Sequence, residues 1–275
     1  MLDIFVTKAD GSKEIFVPAK LEHSLRRAGA GEDVAKDIVK HIMPELVGGM
    51  TTGAIYEHAF ANLRKMSRPV APRYSLKRAL ADLGPSGFPF EKFIAELFRA
   101  QGFETATNQM LKGKCVEHEV DVVAWNEKRL VMVEAKFHNE LGLKSDLKVA
   151  LYVKARFDDL RGVAFNFGGR GRMLDEGMLI TNTKFTENAL RYATCAGLTT
   201  IGWNSPEKGN LYDLIADSKL HPLTALSSLS VREKQELLAS GIVLCRTLKD
   251  KEFLRPLGMS EEKARQVVDE VNAVC

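Results

Sequence analysis

Glu119-Val120-Asp121-Val122-Val123-Ala124-Trp125, then Asn126-Glu127-Lys128-Arg129, then Leu130-Val131-Met132-Val133-Glu134-Ala135-Lys136: two apolar runs joined by a short polar link. Period-two alternation on both sides of four polar residues predicts a β-hairpin. Side chains along a strand alternate faces, so Glu134 and Lys136 share one face while Val131, Val133 and Ala135 point into a core. Asp121 likewise opposes Val120, Val122 and Ala124. Three ionisable groups are thereby expected at one end of a half-buried sheet. Two carboxylates a few Å apart repel unless a cation lies between them. Oxygen donors of this kind suit Mg²⁺ or Mn²⁺, which take one or two carboxylates together with waters and phosphate oxygens.

A lysine beside such an ion orients or helps deprotonate an attacking water and stabilises charge on a phosphoryl transition state. The pattern therefore points to metal-assisted phosphodiester hydrolysis. Taken alone, the three residues read equally as the solvated face of a hairpin. The residues upstream add a second element. Phe90, Phe93, Ile94, Leu97 and Phe98 recur at helical spacing and Gly102 ends the run.

This constellation resembles the Mrr-like branch of the PD-(D/E)xK nucleases. The resemblance implies a restriction-endonuclease-like α/β/α domain with a mixed sheet. It also implies an active-site acid on the first helix, for which Glu96 stands at the matching place beside Asp121, Glu134 and Lys136. Asp121, Glu134 and Glu96 are then the expected metal ligands. Met178 to Thr186, with Ala189, Tyr192 and Ala193, looks like the later strand and helix of that branch. Ala135 replaces the cysteine common between acid and lysine, a change on the core-facing side.

The N-terminal segment reads as a hairpin, Leu2 to Val6 and Lys13 to Val17, around the turn Lys8 to Ser12. Helical spacing follows over Ala19 to Ala28, Val34 to Leu46 and Thr52 to Met66, with Thr51 or Thr52 as N-cap of the last. Arg64, Lys65, Arg68, Arg73, Lys77 and Arg78 then come without an intervening acid, a cluster that attracts phosphate. Val6-Thr7-Lys8-Ala9-Asp10-Gly11, Glu14, Lys20 and Thr52 resemble the ATP-cone, a small regulatory nucleotide-binding domain. The resemblance implies that Lys8 and Lys20 hold the phosphates of ATP or dATP. Val6, Glu14, Thr52 and Tyr56 then supply the remaining contacts. Ala9 stands where that family has arginine, which removes a bidentate phosphate donor.

Asp82 to Pro89 concentrates turn formers and marks a boundary. Beyond Lys136, the cations Lys144, Lys148, Lys154 and Arg156 with Tyr152 predict a helix whose lysines face backbone phosphates. Gly168-Gly169-Arg170-Gly171-Arg172 reads as a mobile basic loop. From about Ala216 the chain reads as helical. Ser230 and Glu233 form a capping box. The turn Leu254 to Ser260 resembles a helix-hairpin-helix module, although Ser260 replaces its second glycine.

A chain of 275 residues, 45% hydrophobic and 27% charged, supports two or three cores. Its net charge of +3 assigns nucleic-acid contact to local clusters instead of a global field. Apolar runs broken by charge predict no membrane span, and no secretory leader is legible. Cys115, Cys195, Cys245 and Cys275 lack CxxC spacing and read as reduced cytoplasmic thiols. The expected architecture is α/β in three parts: an ATP-cone (1–84), an Mrr-like nuclease domain (85–215) and a small helical module (216–275). DNA is the expected macromolecular partner, and a homo-oligomer is compatible with this plan. A nucleotide-responsive DNA-binding regulator with an inactive nuclease fold is the alternative reading.

Overall fold

The computed structural model describes residues 4–67 and 70–275. The first residues of the expected opening strand, and Arg68 of the basic cluster, lie outside them. Strands β1 (Phe5–Thr7) and β2 (Lys13–Ile15) pair antiparallel. Their turn carries Gly11 at φ 79°, a conformation that favours glycine. Helices α1 (Pro18–Arg27), α2 (Glu32–Ile42) and α3 (Thr52–Met66) follow. Thr51 caps α3 by accepting the Ala54 amide at 3.1 Å. Leu25, Ile38, Ile42 and Leu63 meet Val6 in one apolar cluster, so the hairpin rests on the bundle.

Two short helices unread in the sequence come next, α4 (Ala71–Tyr74) and α5 (Leu76–Ala81). Leu76, Leu80 and Leu83 bury themselves with Phe90, Phe93 and Ile94 of α6 (Phe88–Ala100), not with the N-terminal bundle. The break between cores accordingly falls before α5, ahead of the turn-rich 82–89 segment that marked the expected boundary. Each of those phenylalanines is fully buried, and such burial contributes about 2 kcal/mol per side chain.

The central sheet has the order β11-β9-β5-β4-β3. Its strands are β3 (Glu104–Lys112), β4 (Glu117–Trp125), β5 (Leu130–Lys136), β9 (Glu176–Thr181) and β11 (Thr199–Ile201). Minor strands β6 (Lys144–Ser145), β7 (Phe165–Phe167), β8 (Arg170–Arg172) and β10 (Lys184–Phe185) form two small ribbons. β4 pairs antiparallel with both β3 and β5, whereas β5, β9 and β11 are parallel, which makes the sheet mixed. Parallel pairs need a crossover. Helix α7 (Leu147–Leu160) lies between β5 and β9, and α8 (Glu187–Ala196) between β9 and β11.

Val131, Val133 and Ala135 join the α6 cluster, while Leu130 and Met132 join the cluster of Val153, Phe157 and Ala189 on α7 and α8. β5 is consequently buried on both faces, not half-buried, because helices cover the mixed sheet on either side. The expected hairpin link is present, with the Asn126 side chain accepting the amides of Lys128 and Arg129.

Helix α9 (Leu211–Ser218) runs through the expected 215/216 boundary, and its Leu211 and Ile215 fill the α6 cluster. Helices α10 (Val231–Ala239) and α11 (Glu261–Val274) end the chain with intervening 3₁₀ turns. Ser230 and Glu233 make the expected capping box. Ser260 caps α11, with Glu261 and Glu262 in its first turn, the arrangement that suits a helix N-terminus. The basic 168–172 stretch is not a free loop. It forms the β7–β8 ribbon, and Arg170 and Arg172 donate to the carbonyls of Glu127 and Asn126. Among the described residues no helix is long and apolar enough to cross a membrane.

Gly177 of β9 packs directly under the Phe157 ring, where no Cβ fits. Gly177→Ala is expected to destabilise the fold by about 1 to 3 kcal/mol through overpacking, read as a lowered denaturant midpoint at unchanged slope.

Candidate active site

Pairing of β4 with β5 stops at Val122 and Val133, while β5 keeps its parallel pairing with β9 through Lys136 and Thr181. The strands part at this level, and the Ala135 amide, past the last backbone pair with β4, donates instead to the side chain of Asp121 on that strand, Oδ2 at 2.7 Å. Asn108 of β3 lies opposite Asp121 and sits at φ 53°, a left-handed conformation that asparagine tolerates better than most residues. The fork leaves the ends of β4 and β5 open to a cavity lined by Glu91, Asp121, Glu134 and Lys136.

The side chains differ sharply in how they are held. Glu134 is only 8% exposed. Its Oε1 accepts from the Tyr152 hydroxyl and its Oε2 from Arg156, both on α7. Asp121 is pushed up to about 6, first by burial and then by the charge of Glu134. Glu91 is pushed up to about 7 by burial, followed by the charges of Asp121, Glu119 and Glu134. Among the described residues no cation pairs with Asp121 or Glu91.

Asp121, Glu134 and Lys136 come together as the alternation implies. Glu96 does not join them. It sits on another flank of α6, ion-paired to Arg99 and within 3.6 Å of Arg246. Five residues earlier, Glu91 is the α6 acid that reaches the cavity. Glu91 lies in the first turn of α6, and periodicity alone does not distinguish it from Glu96, because both flank the apolar stripe. Tyr152 and Arg156, members of the segment whose lysines were expected to face phosphates, direct their polar ends to Glu134, because their i,i+4 spacing puts both on the same α7 face. Lys154 is tied to Asp158 on its own helix at 2.5 Å and Lys144 to Asp10 at 3.5 Å.

The strand exit beyond Lys136 is latched by Asn182, fully buried, whose Oδ1 accepts from the His138 amide at 2.9 Å and whose Nδ2 donates to the His138 carbonyl at 2.7 Å. The His138 ring sits against Ser145 at 3.0 Å, and burial with Lys136 nearby lowers its pKa. Among the described residues no three His, Cys, Asp or Glu side chains form a ready metal cage. The donor set nonetheless fits Mg²⁺ or Mn²⁺, which keep several waters and need one or two carboxylates. Two uncompensated acids beside one anchored acid form a site whose charge a divalent cation balances.

The residues expected to hold a nucleotide fall into two groups. Lys8 and Lys20 both pair with Glu14, at 2.8 and 3.1 Å, and lower its pKa. Val6 is in the core. Thr52 and Tyr56 instead line a separate cavity against α4, α5 and the residues that precede and open α9, which Lys8, Glu14 and Lys20 do not line.

Residues 84–202 match a family described as Restriction endonuclease (Mrr_cat), and residues 221–275 match one described as AF1548-like, C-terminal. An uncharacterized protein of Archaeoglobus fulgidus is 38% identical over 183 residues, spanning 66% of this chain and 99% of the relative. The crystal structure of a protein of unknown function, AF1548, superposes with TM-score 0.56 at 36% identity, covering 69% of this chain and 98% of that one. The MspJI restriction endonuclease bound to a 27-mer oligonucleotide shares 15% identity at TM-score 0.32, over 76% of this chain and 44% of that one, too slight a likeness to argue from.

The raised acids contribute a pH dependence to the metal-free protein. Folded values of about 7 and about 6 stand above the ordinary 4.5 and 3.8. At these two positions the folded state therefore binds more protons between about pH 4 and about pH 7, and their contribution to stability falls as pH rises through that window. Chemical denaturation in a chelator is expected to show this decline, and Glu91→Gln to flatten it toward the upper end; an unchanged slope in the variant would remove Glu91 as the cause.

Proposed function

We propose that this chain, which belongs to the AF1548-like family and carries a restriction-endonuclease-like domain, is a divalent-metal-dependent DNA endonuclease of restriction or defence type. The observation that carries this reading is the fork between β4 and β5, with Asp121, Glu134 and Lys136 on one cavity and Glu91 opposite. Asp121 and Glu134, with Glu91, would hold Mg²⁺ or Mn²⁺. When bound, such an ion polarises a phosphoryl oxygen and lowers the pKa of water.

The chain's own groups do the rest. Arg156 and Tyr152 fix both oxygens of Glu134 and prevent it from rotating off the site. The Ala135 amide holds one oxygen of Asp121. Lys136, carried on β5 and held by the Asn182 latch, supplies positive charge where the transferred phosphoryl group develops negative charge, and it orients the attacking water. Glu96 is better read as a structural partner of Arg99 and Arg246.

Around this centre the reading assigns the N-terminal bundle, ending before α5, to an ATP-cone that takes ATP or dATP as effector, the part from α5 through α9 to the nuclease and the remainder to a helical accessory module. Cytoplasmic action on DNA, with self-association set by nucleotide occupancy, completes it. An effector shifts activity only by its differential affinity for two states.

Plasmid nicking with Mg²⁺ tests the catalytic assignment. Lys136→Ala and Asp121→Asn are expected to lower the rate by about 10²-fold or more, Glu91→Gln to lower it less, and Glu96→Gln to leave it near the parent. Equal activity in the parent, Lys136→Ala and Asp121→Asn would eliminate the mechanism, and salt-sensitive binding without cleavage would favour a regulator. Calorimetric titration of the whole chain with ATP and dATP tests the effector; no saturable binding rejects it.

A further inference from the structure

A cavity of about 270 Å³ lies where the N-terminal bundle meets the restriction-endonuclease-like domain. Its walls carry four cations, Arg27, Arg73, Lys77 and Arg78, and no carboxylate. Two of the four are engaged. Arg27 pairs with Asp213 at 3.0 Å and lies over the Tyr212 ring at 4.0 Å, and Arg78 pairs with Glu57. Arg73 and Lys77 form no ion pair among the described residues. Lys77 is desolvated, and its pKa falls to about 8 through burial, with the neighbouring charge of Lys184 adding to the effect. Arg73 is exposed, whereas holding the partly buried Lys77 without counter-charge costs stability. An anion entering the cavity removes that cost.

The remaining wall is aromatic. Tyr56 stacks on Tyr74 with centroids 5.2 Å apart, and Trp203 meets Tyr212 edge to face at 5.5 Å. Arg27 covers one face of Tyr212 and Tyr56 is stacked on Phe60 and Tyr74; the aromatic surface that remains on this wall suits a planar ring, and the arginines beside it suit phosphate. A small inorganic anion would use only half of such a site.

The cavity also touches the strand exit of the active site. Leu141 lines it, and Leu141 belongs to the 137–143 loop that leaves Lys136, whose Glu140 and Leu143 line the catalytic cavity. That loop is pressed against the β1–β2 turn. Gly142 approaches the Ala9 backbone so closely that no Cβ fits, and Lys144 reaches Asp10 at 3.5 Å.

We propose that this cavity binds a nucleoside polyphosphate, with Arg73 and Lys77 on the phosphates and Trp203 and Tyr212 beside the ring, and that the 137–143 loop transmits its occupancy to Lys136. The regulatory half rests on the effector reading above; the placement differs from it, because Lys8 and Lys20 are spent on Glu14.

The chain has two tryptophans, so Trp125→Phe leaves Trp203 as the sole reporter. Titration of that variant with ATP is expected to change Trp203 emission saturably. Tripolyphosphate is expected to bind more weakly and to leave emission unchanged. Calorimetry on the parent protein gives the same comparison should the variant not fold. Arg73→Ala and Lys77→Met are expected each to weaken ATP about tenfold, roughly 1.4 kcal/mol, while Lys8→Ala and Lys20→Ala bind as the parent. Loss of binding in the Lys8 and Lys20 variants with parental binding in the other two overturns this placement and leaves the effector reading standing. No saturable binding of ATP by the parent overturns both. Equal affinity for tripolyphosphate and ATP overturns the nucleoside part. For transmission, ATP is expected to alter plasmid nicking by the parent but not by Gly142→Ala; an equal response in both overturns the role of the loop.

Discussion

Where β4 and β5 stop pairing, the Ala135 amide is satisfied by the Asp121 carboxylate at 2.7 Å. A buried amide without a partner costs about 1 to 3 kcal/mol, so strands that part inside a domain need a side chain to take over the lost ladder. Asp121 does so, and the same act holds its carboxylate at the mouth of the fork. The opening that admits a substrate and the group that faces it are thus one structural event. Lys136 remains on the parallel side of β5, still paired in register with Thr181. That pairing keeps its backbone fixed while the other edge is free.

The acids at the fork are held by three different means. Glu134 is buried and satisfied by Arg156 and Tyr152. Asp121 is satisfied on one oxygen by backbone. Glu91, from α6, brings a charge with no partner among the described residues. Burial and mutual repulsion push the last two toward the neutral form, and the arrangement stores that unfavourable charge at the cavity instead of on the surface.

The N-terminal bundle is not an independent appendage. α5, which follows the bundle directly, packs Leu76 and Leu80 into the core of the central domain, and its Ala79 carbonyl accepts from the Thr224 hydroxyl of the C-terminal part. Tyr212 donates to the Arg27 carbonyl at 2.6 Å while Arg27 reaches back to Asp213. These ties place basic side chains of the bundle and aromatic rings of the central domain on one cavity wall.

The hairpin, the strand alternation that joins Glu134 to Lys136, the α6 stripe and the caps at Thr51 and Ser230 were legible in the residues, because each is set by periodicity or by a bond spanning a few positions. Local pattern could not say which α6 acid reaches the fork. Glu91 and Glu96 lie on different flanks of the same helix, and only its angle against β4 and β5 separates them. The same holds for Tyr152 and Arg156, whose amphipathic context suits solvent and substrate alike until Glu134 is placed beneath them. Long-range partners also turned Arg170 and Arg172 from a free basic loop into a ribbon bound to Asn126 and Glu127. Sequence by itself determined which side chains were available on each strand and helix; only tertiary packing decided which of them share a cavity, because charge neutralisation and burial are settled between elements far apart in the chain.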